Sequence, residues 1–350
     1  MAVETHNTDG WILGLPDPIG PFKFKQHDLT LAAFQTKPTL LAISNPTRQP
    51  QVDFLARFIP LANQAQQDCR VHYRGQVVKK GERSQCVFDL LVWGQLACIA
   101  FSHFTHAQMP LQMTIGDIFH TVYTSITCCT ITIDHVAFVI PEDSTWIISS
   151  LARFNQHAQN MFADKFDVIL MDPPWPNKSV KRAGTYAQMD IYDLLDLPIP
   201  KLLDNKGLVF VWVSNKKRHV DFVRTKLFPK WGLVVVGEWI WLKVAQDGSA
   251  GFHIDSLHRK PFELLMIGSR GTAPELPYSR YIAACSSFHS RKPSLSAIVE
   301  MYRPGGSKLE MFARQVQQGW TCWGNETIKF NQIGYFEPAD STDDAEDPLL

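Results

Sequence analysis

From residue 166 onward, runs in which almost every position is apolar alternate with polar stretches whose apolar positions recur at helical spacing. "FDVILM" (Phe166–Met171), "GLVFVWVS" (Gly207–Ser214), "GLVVVGEWIWLKV" (Gly232–Val244) and "FELLMIGSR" (Phe262–Arg270) are apolar runs. They are short, rich in Val, Ile and aromatic residues, and bounded by turn residues, so they predict strands buried on both faces. "SKLEMFAR" (Ser307–Arg314) and "GWTCWGNE" (Gly319–Glu326) predict two more. Between the strands, "KKRHVDFVRTKLF" carries Val220, Val223 and Leu227 on one helical face, with Asn215 as its expected cap. "PSLSAIVEMY" (Pro293–Tyr302) predicts a helix opened by proline, and "IYDLLDL" and "IPKLLD" short helical pieces. Strands alternating with helices predict an α/β fold with a doubly wound, largely parallel, Rossmann-like sheet. Ligands of such sheets bind beyond the carboxyl ends of the strands.

Residues 1–140 carry a weaker pattern. "VFDLLVWGQLACIAF" (Val87–Phe101) fits a buried helix or a strand, whereas the β-branched "TCCTITIDHVAFVI" (Thr127–Ile140) predicts a strand. The organisation expected is an N-terminal mixed α/β accessory domain over 1–140, a Rossmann-like domain over 141–332 and an acidic, disordered tail over 333–350. No internal repeat is visible.

The length of 350 residues allows one large domain or two small ones. No run is long and apolar enough to predict a membrane span, and "MAVETHNTDGW" does not read as a signal peptide. Seven cysteines without a CxxC pair, two of them adjacent (Cys128 and Cys129), suggest a reduced, intracellular chain. The pairs His103/His106 and His253/His258 lack matching Cys or acid partners, so no metal site is expected. The formal net charge of zero conceals an asymmetry. "EPADSTDDAEDPLL" (Glu337–Leu350) holds six acids and no base, which leaves the rest of the chain with 34 basic against 28 acidic residues. A mildly basic body permits a polyanionic partner without requiring one.

The candidate chemistry lies where "FDVILM" stops, at Asp172-Pro173-Pro174-Trp175. Prolines fix φ and have no N–H to donate, so their carbonyls can serve as acceptors on a stiff frame. Asp172 adds a carboxylate and Trp175 a flat apolar face. Acceptors beside an aromatic plate suit a planar ring bearing an NH₂ group, such as adenine. The plainer alternative is a strand-ending acid, a turn and a packed tryptophan. Directly after the motif, "NKSVKR" (Asn177–Arg182) places Lys178, Lys181 and Arg182 within five residues and no acid. That run is either a solvated loop or a phosphate clamp.

Over residues 140–330 the chain resembles the DPPW-type adenosine-N6 methyltransferases, and within them the branch of methyltransferase-like protein 4. Besides "DPPWPNKSVKRAGTY", the segments "IPIPKLL", "VWVSN", "EWIWLKV", "DSLHRKPFE", "HSRKP", "LEMFAR" and "GWTCWGNE" resemble that branch in the same order. The resemblance implies a Rossmann-like methyltransferase sheet of permuted motif order, with S-adenosyl-L-methionine bound largely by segments that follow the catalytic motif. This order accounts for the lack of a G-x-G-x-x-G loop and sets a nicotinamide-dehydrogenase reading aside.

Carried over residue by residue, the resemblance implies that Asp172 and the Pro173 carbonyl accept hydrogen bonds from the target amine. Pro174 would stiffen the motif and Trp175 would pack on the base. Lys292, with Ser290 beside it, would pair with the cofactor carboxylate. Glu310 would accept from the ribose hydroxyls, Phe312 would line the adenine pocket and Arg314 would sit by the ribose. Asn325 and Glu326 would complete that site, and Asp172 borders the cofactor as well as the base. "STWIISSLARF" resembles the segment that contacts the cofactor adenine. Where the family usually has Ser-Asp-Ile this chain has Ser149-Ser150-Leu151, so Ser150 offers a hydroxyl in place of a carboxylate. Tyr186 is the candidate to hold the target nucleoside, with Tyr192 nearby as the alternative, and Trp241 of "EWIWLKV" is a further substrate candidate.

The activity implied is methylation of adenine N6 in RNA, with 2′-O-methyladenosine of U2 small nuclear RNA as the finer target. DNA adenine is the alternative substrate, and a non-catalytic RNA-binding scaffold the alternative class. A paired base cannot enter such a pocket, so the adenosine must be single-stranded or flipped. The resemblance implies the nucleus, with the cytoplasm as the alternative, and neither a membrane nor an obligate protein partner.

Overall fold

The computed structural model describes residues 3–6, 10–13, 22–24, 57–72, 102–104, 112–162, 164–176, 190–244, 260–271, 275–285 and 290–338. Eight strands build the part of the sheet that carries the site: β1 (Ser144–Ile148), β2 (Phe166–Met171), β3 (Leu203–Val213), β4 (Val234–Val244), β5 (Phe262–Ser269), β6 (Ser279–Cys285), β7 (Lys308–Met311) and β8 (Thr321–Gly324). Their spatial order is β6-β4-β5-β3-β2-β7-β8-β1. β3, β2, β7, β8 and β1 run parallel, while β5 is antiparallel to both its neighbours. The expected Rossmann-like α/β sheet is therefore present.

The unbroken apolar runs are explained by two cores, one on each face of the sheet. Along β2, Ile169 and Met171 enter one core and Val168 and Leu170 the other. Along β3, Val209, Val211 and Val213 alternate in the same way with Leu208, Phe210 and Trp212. A strand covered on both faces takes apolar residues at most of its positions.

The sheet does not stop at the expected boundary near residue 140. Gly10–Leu13 pairs with β6 at one edge, and Thr121–Ser125 pairs with β1 at the other. The helix Ile59–His72 packs over β4 and β6. "TCCTITIDHVAFVI", expected as one strand, is a hairpin of Cys129–Ile133 and Val136–Ile140. Its turn residues Asp134 and His135 both have positive φ, a conformation that a turn without glycine does not announce in the sequence. The first six residues of the tail expected from residue 333 are structured. Ile333–Tyr335 forms a 3₁₀ turn, Phe336–Pro338 pairs with Phe22–Phe24, and Tyr335 and Phe336 are buried. Two aromatic side chains that can be buried outweigh the acidic composition beyond them. The remainder of that tail and Val87–Phe101 lie outside the described residues. No described helix is long and apolar enough to cross a membrane.

Candidate active site

Asp172 follows β2 directly, and β2 lies parallel to β7 with Leu170 opposite Glu310 and Met171 opposite Met311. β8 and β1 continue the parallel row and end at Gly324 and Ile148. Asp172, Glu310 with Phe312, Asn325 and Ser150 thus stand at the carboxyl ends of four consecutive parallel strands. This is the edge at which such sheets bind ligands. Phe312 follows β7 with φ +60, and Ser290 opens the approach to the helix α1 (Ser296–Tyr302) with φ +68. Neither is glycine, so each turn places a side chain in a left-handed conformation that costs energy.

A cleft at this edge encloses about 400 Å³, counted to its open mouth, and is lined by Asp172, Ser290, Lys292, Glu310, Phe312 and Arg314 among others. Asp172 Oδ2 accepts from Arg314 Nη1 at 3.0 Å and pairs with Lys292 Nζ at 3.2 Å. Lys292 also reaches Glu263 Oε2 at 2.9 Å, and Glu263 pairs in turn with Lys243. On the other side, Arg314 Nε donates to Glu326 Oε2 at 3.2 Å, and Lys329 Nζ donates to Glu326 Oε1 at 3.0 Å. The result is one chain of alternating charge: Lys243, Glu263, Lys292, Asp172, Arg314, Glu326, Lys329. Both bonds to Asp172 fall on Oδ2. No described residue bonds Oδ1, which remains as an acceptor for a ligand N–H.

The cleft shifts several protonation equilibria. Burial alone would raise the carboxyl of Glu263, but Lys292 and Lys243 outweigh it and hold the group at about 2. Burial would likewise lower Lys292, yet Asp172 and Glu263 raise it, so the ammonium is secure. Glu310 goes the other way. Burial, reinforced by the charge of Asp172, pushes it up to about 7 against a hydrogen bond from Gln317 Nε2 and the attraction of Arg314.

Trp175 is held on several sides. Its Nε1 donates to the Trp212 carbonyl at 2.8 Å, and its ring stacks on His219 at 4.9 Å between centroids and 21° between planes. The Trp175 backbone N–H donates to the Pro173 carbonyl at 2.8 Å. That carbonyl, expected to face the target amine, therefore closes a tight turn and keeps one lone pair for a ligand. Pro173 is buried and Pro174 exposed.

Other sequence candidates fall differently. Ser150 caps the helix Leu151–Met161 through its hydroxyl, and Leu151 packs against the core beneath. Both stand at the same sheet edge without lining the cleft. Glu326 is buried and occupied by Arg314 and Lys329, so it orients Arg314; its neighbour Asn325 is exposed. Trp241, expected to meet the substrate, does not face the cleft. It is buried in the core, edge-on to Trp212, with its indole N–H on the Ala284 carbonyl, and so it is unavailable to a substrate. Asn215 does not cap the helix α2 (Lys217–Phe222), whose cap position is Lys216. Its amide instead ties to the Phe262 carbonyl on β5. Tyr192 is exposed and lies beside Lys226. Lys178, Lys181, Arg182 and Tyr186 lie outside the described residues.

Sequence reasoning missed Glu263, Gln317, Arg291 and His219. Arg291 is buried between the Lys292 and Arg314 segments. Its Nε and Nη2 both donate to Gln315 Oε1, at 3.1 and 2.9 Å, and burial lowers its pKa to about 9. A signal existed for Glu263, a carboxylate inside the otherwise apolar run "FELLMIG". Gln317 and His219 gave none, because their partners are defined only by folding.

Residues 166–326 match the family model described as MT-A70. The chain is 36% identical over 218 residues to the human "N(6)-adenine-specific methyltransferase METTL4", covering 58% of this chain and 46% of the relative. It is 38% identical over 221 residues to the "N6-methyladenosine RNA methyltransferase MTA1" of Pyricularia oryzae, covering 59% and 56%. To the "DNA N6-methyl methyltransferase" of Caenorhabditis elegans it is 34% identical over 197 residues, covering 52% and 51%. The chain spans about half the length of the curated relatives it matches. The matched segment carries Asp172, Lys292, Glu310 and Arg314 of the cleft, and over that segment the chain is similar to the MT-A70 family.

Proposed function

We propose that the chain is an S-adenosyl-L-methionine-dependent methyltransferase acting on adenine N6 in RNA. The observation that carries this reading is the placement of Asp172 and Glu310 at the ends of adjacent parallel strands, with Lys292 and Arg314 both paired to Asp172 in the same cleft. The lining fits the cofactor by donor and acceptor chemistry. Glu310 can accept from a ribose diol with the amide of Gln317 beside it, Lys292 can pair with a carboxylate, and Phe312 supplies an apolar face. When bound, the cofactor supplies an electrophilic sulfonium methyl group.

The remaining task falls to the protein. The exocyclic amine of adenine is a weak nucleophile because its lone pair is delocalised into the ring. Asp172 Oδ1, held by the two cations on Oδ2, accepts one N–H of that amine. The free lone pair of the Pro173 carbonyl accepts the other. Two acceptors favour a pyramidal nitrogen whose lone pair points at the methyl group. The contribution is orientation and preorganised charge, with no covalent enzyme intermediate. Trp175 offers a plate for the base.

The finer substrate we propose is 2′-O-methyladenosine in small nuclear RNA, read in the nucleus, with Lys178, Lys181, Arg182 and Tyr186 contacting the nucleic acid. The relatives named for RNA and for DNA make the polymer the first question to test. Matched RNA and DNA oligonucleotides, each with and without a 2′-O-methyl on the target, would be offered with radiolabelled cofactor. Preferred labelling of the 2′-O-methylated RNA is expected. Exclusive labelling of DNA would overturn the RNA reading, and no labelling of any oligonucleotide would overturn the enzyme reading.

A further inference from the structure

Three points of the 175–176 segment are held by one short stretch of chain, from the end of β3 into α2. The Trp212 carbonyl takes the Trp175 indole N–H at 2.8 Å. Lys216 Nζ donates to the Pro176 carbonyl at 2.9 Å. Between them, His219 lies nearly parallel to the Trp175 ring at 4.9 Å. His219 is fully buried, and both ring nitrogens have partners. Arg218 Nε donates to Nε2 at 3.2 Å, which makes Nε2 the acceptor and puts the proton on Nδ1, 2.6 Å from Ser214 Oγ. Bonds at both nitrogens stop the imidazole turning about its own axis, so its plane is fixed. An aliphatic side chain could fill the same volume without setting a plane. Burial, then Arg218 and Lys216, lower the imidazole pKa to about 4, so it stays a neutral plate at physiological pH.

We propose that His219 is a positioning residue for Trp175: with the Trp212 carbonyl and Lys216 it fixes the plane of the indole against which the target base packs. The inference rests on the proposed function insofar as a base is the ligand of Trp175. The orientation of the ring can be tested without that assumption. A histidine serving only the core would need its two hydrogen bonds met, but it would have no reason to lie flat on the ring of the motif while its neighbour holds the next carbonyl.

The test is fluorine NMR on the full chain labelled with 5-fluorotryptophan, with Trp175→Phe used to identify the Trp175 resonance. It is run for wild type, His219→Leu and His219→Phe, beside steady-state kinetics and cofactor titration. In His219→Leu the Trp175 resonance should shift or broaden. KM for the nucleic acid should rise roughly 3- to 10-fold, the loss expected of one ring stack. Cofactor affinity should not change, and His219→Phe should recover most of both effects. Should His219→Leu fail to fold, Ser214→Ala removes the Nδ1 partner without opening a large cavity and carries the same expectation in milder form. An unchanged Trp175 resonance, or a phenylalanine variant no better than leucine, would overturn the proposal. If wild type transfers no methyl group, the functional reading fails and the fluorine result alone decides the role of His219.

Discussion

Replacing Glu263 with Gln removes one charge from the middle of the alternating chain, with little change of shape. Glu263 is the partner of both Lys243 and Lys292, and its side chain is only 25% exposed, so solvent screens the pair less than it would at the surface. A carboxyl held at about 2 in place of its usual 4.5 contributes on the order of 3 kcal/mol at neutral pH, at about 1.4 kcal/mol per pH unit. The amide can still accept one hydrogen bond, so the expected loss is about 1–3 kcal/mol. The pH dependence has a definite sign. The folded carboxyl lies below its unfolded value, so its contribution is complete above pH 4.5 and is lost as pH falls towards about 2. The gap between wild type and Glu263→Gln should therefore be widest at pH 6–7 and narrow steadily below pH 4.5. Urea denaturation across pH 3–7 measures it, as a shift of midpoint at unchanged slope. A variant as stable as wild type at pH 7, or a gap that widens on acidification, would refute the charge-chain argument.

Three further outcomes are expected. Glu310 titrates at about 7, and it must be ionised to accept from two hydroxyls. Cofactor affinity should therefore rise with pH through 7, and Glu310→Gln should abolish that dependence in calorimetric titrations run from pH 6 to 8. Lys292→Ala should weaken cofactor binding by about 1–3 kcal/mol, with unchanged affinity counting against the assignment of Lys292 to the cofactor carboxylate. Lys181 and Arg182 changed together to Ala should weaken RNA binding and flatten its salt dependence by up to about two phosphate contacts, while cofactor affinity stays the same.

What the sequence made legible was decided by local physics. "FDVILM" could be read as a strand because burial on both faces leaves nearly every position apolar, and its abrupt end at Asp172 marked the carboxyl edge of the sheet. Lys292, Glu310, Phe312 and Arg314 were legible through motif order, and folding brings them to one cleft. The pairing among them was not legible, because Asp172 and Arg314 lie 142 positions apart and meet only when β2 and β7 align. Trp241 shows the limit of motif-based reading. An aromatic in a matching segment was expected at the substrate, but its place in the pleat points it into the core. Asn215 shows the same for capping: a suitable side chain one residue before the cap position found a better partner on β5.

On the proposed function, Asp172 presents, through the Oδ1 that no described residue bonds, the acceptor that readies an adenine amine for methylation. Nucleoside mass spectrometry tests this role. An RNA oligonucleotide with a single adenosine, in its 2′-O-methyl and unmodified forms, is incubated with S-adenosyl-L-methionine and wild type, Asp172→Ala or Asp172→Asn, then digested. Wild type should place a methyl group on N6. Asp172→Ala should yield none and Asp172→Asn a severe loss, although both variants should fold and unfold like proteins with an intact core. Product formation by the folded Asp172→Ala variant at the wild-type rate, or methylation at a ring nitrogen instead of N6, would contradict this role.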